Sequence, residues 1–136
     1  MNKDKVMLHA GLTRIIIGCA FDVLNELGPG FLESVYEKAM VIALSDAGVP
    51  VQQQAGIDVF FRSKLVGEFY ADLLVDGKVI VELKAVPSAL APMHEAQLIN
   101  YLNATGIPVG LLLNFGNPKL QYRRLTRSRD FRGSQD

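Results

Sequence analysis

The stretch from Asp72 to Lys84 reads as two apolar strands joined by a turn at Asp76-Gly77, and the length of that turn decides what the chain can build there. Side chains alternate faces along a strand, so Glu82 and Lys84 point the same way, about 6 to 7 Å apart, while Leu83 points the other way. A two-residue loop pairs Val75 with Lys78 and sets Asp72 opposite Val81, on the face away from Glu82. A three-residue loop with Gly77 in a left-handed conformation, or a bulge near Asp72, brings both carboxylates onto one face. Polar groups at the end of an otherwise apolar strand need a reason, so one of these two arrangements is expected. The plainer alternative is an Asp-Gly hairpin whose Glu and Lys pair in solvent.

Two carboxylates on one face, with an ammonium beside them, are a sufficient protein contribution for a hard cation such as Mg2+, which takes one or two carboxylates and keeps several waters. Such an arrangement suits metal-assisted cleavage of phosphodiesters, Lys84 lying beside the attacking water or the phosphate.

The rest of the chain bounds this reading. Its 136 residues, 49% hydrophobic and 21% charged, suit one globular domain over 1–136 and exclude a low-hydrophobicity disordered chain. No apolar run approaches a membrane span and Met1 to Lys5 lacks an apolar signal core, so a cytoplasmic protein is expected. The single cysteine, Cys19, excludes an internal disulfide framework and a four-cysteine cluster, and it is expected in the core. Formal net charge is zero, yet Arg123, Arg124, Arg127, Arg129 and Arg132 crowd the C-terminus and leave the body mildly acidic. That end, from about 126, is either a phosphate-contacting segment or a solvated tail.

Apolar spacing predicts a helix from Leu8 to Leu27, with Leu8, Leu12, Ile15, Ile16, Cys19, Val23 and Leu27 on its buried face. A second helix is expected from Phe31 to Ala47, burying Leu32, Val35, Tyr36, Ala39, Met40 and Ala43. Strands follow at Val51–Gln54, Ile57–Phe61, Leu65–Val75 and Lys78–Lys84. A Pro-initiated helix from Pro92 to Ala104, a buried strand at Val109–Asn114 and an edge strand at Leu120–Leu125 complete the order.

Three further positions bear on chemistry. Glu33 sits in the first turn of the second helix and leans over the same face as Tyr36, where a carboxylate is either a helix-dipole partner or part of a site. Gln97 and Tyr101, four apart on the third helix, share a face and could hold a substrate strand. His94 is either a general acid or base or a structural residue at the helix start.

Gly30-Phe31-Leu32-Glu33-Ser34-Val35-Tyr36 resembles the signature of the GxxExxY family, small members of the PD-(D/E)XK nuclease superfamily. Leu27–Glu33, Ala71–Val75, Val81–Ala85 and His94–Leu98 resemble its blocks in order. The resemblance implies an α+β, restriction-endonuclease-like αβββαβ core with a mixed central sheet and an extra N-terminal helix. It implies Asp72, Glu82 and the Leu83 carbonyl as ligands of Mg2+ or Mn2+, Glu33 supporting the metal or its water, and Lys84 as the catalytic cation. Tyr36, Gln97 and Tyr101 would contact substrate, the last two resembling a QxxxY element. Ala71 replaces the proline of the superfamily name, and Leu24 stands where many relatives are expected to carry His. The implied activity is hydrolysis of DNA, RNA being the alternative substrate, and a homodimer is compatible with so small a domain. The rival is a non-catalytic module that holds nucleic acid or protein on the same fold. A third reading, hydrolysis of a small phosphorylated ligand, would demand a closed pocket.

Overall fold

The computed structural model describes residues 7–127. In chain order these form α1 (Ala10–Leu27), α2 (Glu33–Asp46), β1 (Val51–Phe61), β2 (Lys64–Val75), β3 (Val79–Lys84), α3 (Pro92–Thr105), β4 (Val109–Asn114) and β5 (Gln121–Thr126). The expected αβββαβ order runs from α2 to β4, with α1 before it and β5 after. The five strands lie in sequence order in one sheet, antiparallel except for the parallel β3–β4 pair, so the sheet is mixed as expected. α3 is the crossover that a parallel pair requires.

Helices cover both faces of the sheet. On one, Ile16, Ala20 and Val23 of α1 and Tyr36, Met40 and Leu44 of α2 pack against Leu73, Val75, Val79, Val81, Leu83, Leu111 and Leu113. On the other, Leu98, Tyr101 and Leu102 of α3 pack against Ala71, Ile80 and Leu112. β4 is buried along its whole length, which is why its apolar run shows no alternation.

The helix faces agree with expectation at Ile16, Cys19, Val23, Tyr36 and Met40 and differ elsewhere. Leu8, ahead of α1, and Ile15 and Leu27 on it are exposed, and Thr13, Ala20 and Leu24 take the inner face beside Ile16, Cys19 and Val23. On α2, Leu32 and Val35 face outward and Tyr36, Met40 and Leu44 face inward. Both helices carry two apolar stripes, and the tilt of each helix on the sheet, which periodicity does not encode, selects one.

β1, expected as two pieces, is continuous, with a left-handed residue inside it: Gln54 has φ of 51°. Its neighbours pair regularly with β2, Gln53 with Leu73 and Ala55 with Ala71. At this step the paired strands pivot. Leu73 belongs to the α1/α2 layer, whereas Ala71, two residues away and due on the same face, belongs to the α3 layer together with Ala55 and Ile57. Asp72 lies at the pivot.

Candidate active site

The register of β2 against β3 pairs Val75 with Val79, Leu74 with Ile80 and Leu73 with Val81, so the next position sets Asp72 opposite Glu82. The loop is the three-residue one, Asp76-Gly77-Lys78, with Asp76 and Gly77 at φ of 52° and 65° and the Lys78 N–H donating to the Val75 carbonyl at 2.9 Å. The parity requirement of the sequence is met by the turn itself. Gly77 adopts its left-handed conformation without the Cβ penalty that most residues would meet there.

The backbone ladder between β2 and β3 stops at Leu73–Val81. Beyond it β2 continues with β1 alone and β3 with β4 alone. Separation of two strands leaves N–H groups without ladder partners, and here the two carboxylates take them reciprocally. The Asp72 N–H donates to Glu82 Oε2 at 2.8 Å, and the Leu83 N–H donates to Asp72 Oδ2 at 2.8 Å. Each acid is thereby oriented by the other's strand. These bonds engage one oxygen of each carboxylate, leaving Asp72 Oδ1 and Glu82 Oε1 to take a ligand.

Their electrostatics match the crowding. Burial, then the neighbouring Asp72 charge, pushes the Glu82 carboxyl up to about 7, against the pull of the Asp72 N–H and Lys84. Asp72 is also raised, chiefly by burial and then by Glu37 and Glu33, with the Leu83 N–H and Lys84 opposing. Two acids whose ionisation is disfavoured by burial and by neighbouring carboxylates form a place where a cation relieves both penalties. A hard divalent ion fits this oxygen-donor pair. Among the described residues no three His, Cys, Asp or Glu side chains come together as a ready cage; the Asp72–Glu82 pair is the carboxylate share that such a site would draw on.

Lys84 is half-buried at the end of β3, on the Glu82 side by alternation, and lowers both carboxyls. It pairs with Asn114 of β4, a residue that sequence reasoning missed. Asn114 is fully buried; its Oδ1 accepts from Val86 N–H at 3.0 Å and Gly116 N–H at 3.0 Å, and its Nδ2 donates to the Val86 and Ser88 carbonyls. Gln121 joins this network, accepting from the Leu90 N–H. The chain leaving Lys84 is therefore fixed by β4. Gly116 is required for this approach, because a Cβ there would lie 2.1 Å from the Val86 carbonyl oxygen. The available signal was a polar Asn ending an apolar run.

Glu33 opens α2 in an exposed position. Glu37, one turn later and not singled out from sequence, acts on Asp72 more strongly than Glu33 does. Its carboxylate accepts from Gln53 Nε2 at 3.0 Å and from Gln54 Nε2 at 3.1 Å. Neighbouring strand residues normally point to opposite faces; the left-handed backbone of Gln54 accounts for both amides reaching one acid.

Tyr36 departs from its expected role. It is 0% exposed, stacks on Phe115 with ring centroids 4.7 Å apart, donates to the Gly28 carbonyl at 2.6 Å and accepts from the Phe31 N–H. A hydroxyl so committed fastens the Gly28-Pro29-Gly30 turn to the core and leaves no surface for substrate. His94 caps the start of α3, its Nδ1 accepting the Ala91 N–H at 3.1 Å. Cys19 is buried as expected. Gln97 and Tyr101 do share a surface, lining one side of an open cleft of about 790 Å³ between α3 and the outer part of the β1–β2 hairpin. The Tyr101 hydroxyl is raised by burial and then by the Glu82 and Asp72 charges. Of the C-terminal arginines, Arg123 pairs with Glu95, Arg124 donates to the Leu8 carbonyl and Arg127 to the Gly106 carbonyl. Arg129 and Arg132 lie outside the described residues.

A model of the PD-(D/E)XK nuclease superfamily matches residues 10–125, and the chain belongs to that superfamily. No curated protein matches it. Among solved structures, the one titled "Crystal structure of SSO0001" is similar in fold, with a TM-score of 0.56 and 14% identity over 92% of this chain. This chain spans 62% of the length of that one. The mixed sheet and its flanking helices are thus a restriction-endonuclease-like fold. No helix among the described residues is long and apolar enough to cross a membrane.

Proposed function

We propose that the protein is a nuclease that hydrolyses DNA phosphodiester bonds with the help of Mg2+ or Mn2+. The observation carrying this reading is the reciprocal Asp72–Glu82 arrangement with Lys84 beside it, in a chain of nuclease superfamily membership. Asp72 Oδ1, Glu82 Oε1 and the Leu83 carbonyl would hold the ion. Such a cation supplies a bound water of lowered pKa and neutralises charge on the phosphoryl oxygens. Lys84 sets its ammonium beside the scissile phosphate, where it orients the attacking water and offsets developing negative charge. Tyr101 and Gln97 hold the strand against α3. Glu33, at the rim, would accept a hydrogen bond from a water on the ion. Within the superfamily, the Gly30–Tyr36 block supports placement in the GxxExxY family. A homodimer remains compatible with this reading, and RNA is the alternative substrate.

A non-catalytic module would have little use for this arrangement, because burying two acids together is costly without a cation. The test is cleavage of labelled single- and double-stranded DNA with Mg2+, Mn2+ or EDTA, beside Lys84→Ala. Cation-dependent cutting that falls by at least about a hundredfold in the variant supports the reading, by the usual scale of removing one electrostatic catalytic group. Equal cutting by both proteins, or none by either, overturns it.

A further inference from the structure

The cleft beside the carboxylates has a lining unlike that of a phosphate channel. Phe60 and Phe69 of the hairpin form one wall, and Met93, Gln97, Asn100 and Tyr101 of α3 the other. Among the described residues, the only charged one in the lining is Asp58, whose sign repels phosphate. Phe60 and Met93 are 60% and 71% exposed, and Phe69 lies 5.8 Å from the Tyr101 ring. Aromatic faces flanked by side-chain amides suit a flat, uncharged ligand with a hydrogen-bonding edge: the rings stack on its face while Gln97 and Asn100 offer both donors and acceptors.

Tyr101 links the cleft to the site, lining the one while the Glu82 and Asp72 charges act on its hydroxyl. Tyr101 packs in one cluster with Ala71, next to Asp72, and with Ile80, two before Glu82. Lys84 stands by the carboxylates, whereas at the hairpin turn Arg62 packs over the Phe61 ring and Lys64 pairs with Phe61, on the ribbon face away from the cleft. A strand whose bases enter between the aromatic walls while its backbone reaches Lys84 fits that lining. Bases stacked in a duplex show only their edges in the grooves, so a base that enters must be unpaired.

Resting on the nuclease reading above, we propose that this cleft is a nucleobase site and that the substrate is single-stranded nucleic acid. The test uses the Lys84→Ala protein, which keeps strands uncut, and an oligonucleotide carrying 2-aminopurine, whose fluorescence falls on stacking. The single strand should bind at least tenfold more tightly than the duplex of the same sequence, with quenching. Phe60→Ala and Phe69→Leu should each weaken single-strand binding by about tenfold, within the range of one lost base–aromatic stack. Phe61→Ala, on the ribbon face that does not line the cleft, should leave it unchanged. Equal affinity for duplex, or affinity unmoved by Phe60→Ala, overturns the proposal. So does light scattering that shows a dimer broken by Phe60→Ala, because a second copy would then occupy the cleft. Binding is read without cleavage, so an inactive wild type would sink the nuclease reading and leave this one standing.

Discussion

Glu82 carries the largest single penalty in the site. Its carboxyl holds a proton up to about pH 7 in the folded chain and up to its ordinary 4.5 in the unfolded one. The native state therefore binds more protons within that window, and stability falls as pH rises through it, by roughly 3 kcal/mol. Below 4.5 both states are protonated and above 7 both are ionised, so the loss is confined between. Urea unfolding of wild type and Glu82→Gln should show the variant gaining relative stability from pH 5 to pH 8, and added Mn2+ should restore the wild type at pH 8. A difference between the two proteins that stays constant with pH would contradict this. Asn114 acts by a different route: Asn114→Ala strands the Val86 and Gly116 N–H groups, which should cost about 2 to 4 kcal/mol by the same urea measurement. Neither effect was legible beforehand. Glu82 and Asp72 could be named from their spacing, but Asn114 and Glu37 take their roles from partners distant in the chain, Val86 and Ser88 for one, Gln53 and Gln54 for the other.

At the level of elements, strand pairing and the turn agree on one register. Asp76 and Gly77 both have positive φ, the requirement of a two-residue hairpin loop, so deleting Lys78 should leave Val75 paired with Val79 and Asp72 opposite Glu82. An Ala inserted after Val81 should instead turn Glu82 into the apolar α1/α2 layer. Mn2+ binding followed by calorimetry should survive the deletion and vanish in the insertion; loss in both would show that the loop, not the pairing, holds the site. Element order and most boundaries were readable because hydrophobic period and Gly/Pro stops are local. The pivot at Gln54 and Asp72 was not, because a Gln in a left-handed conformation carries no local signal. The buried stripe of α2 was read correctly at Tyr36 and Met40 but not at Leu32 and Val35, for a related reason: these repeat as regularly, and only docking on the sheet separates them.

Over the molecule as a whole, the two layers meet where β2 leaves β3, and there two of the sheet's loose N–H groups are satisfied by the Asp72 and Glu82 carboxylates. On the proposed function, structural and functional demands coincide on Asp72 and Glu82, so each should bear on both. The most direct test is isothermal titration of Mn2+ into wild type, Asp72→Asn and Glu82→Gln at pH 8. The account predicts a binding event in the wild type that is lost in both variants, each still folded by circular dichroism. Undiminished binding in either folded variant would place the cation elsewhere and contradict the assignment of this pair as its site.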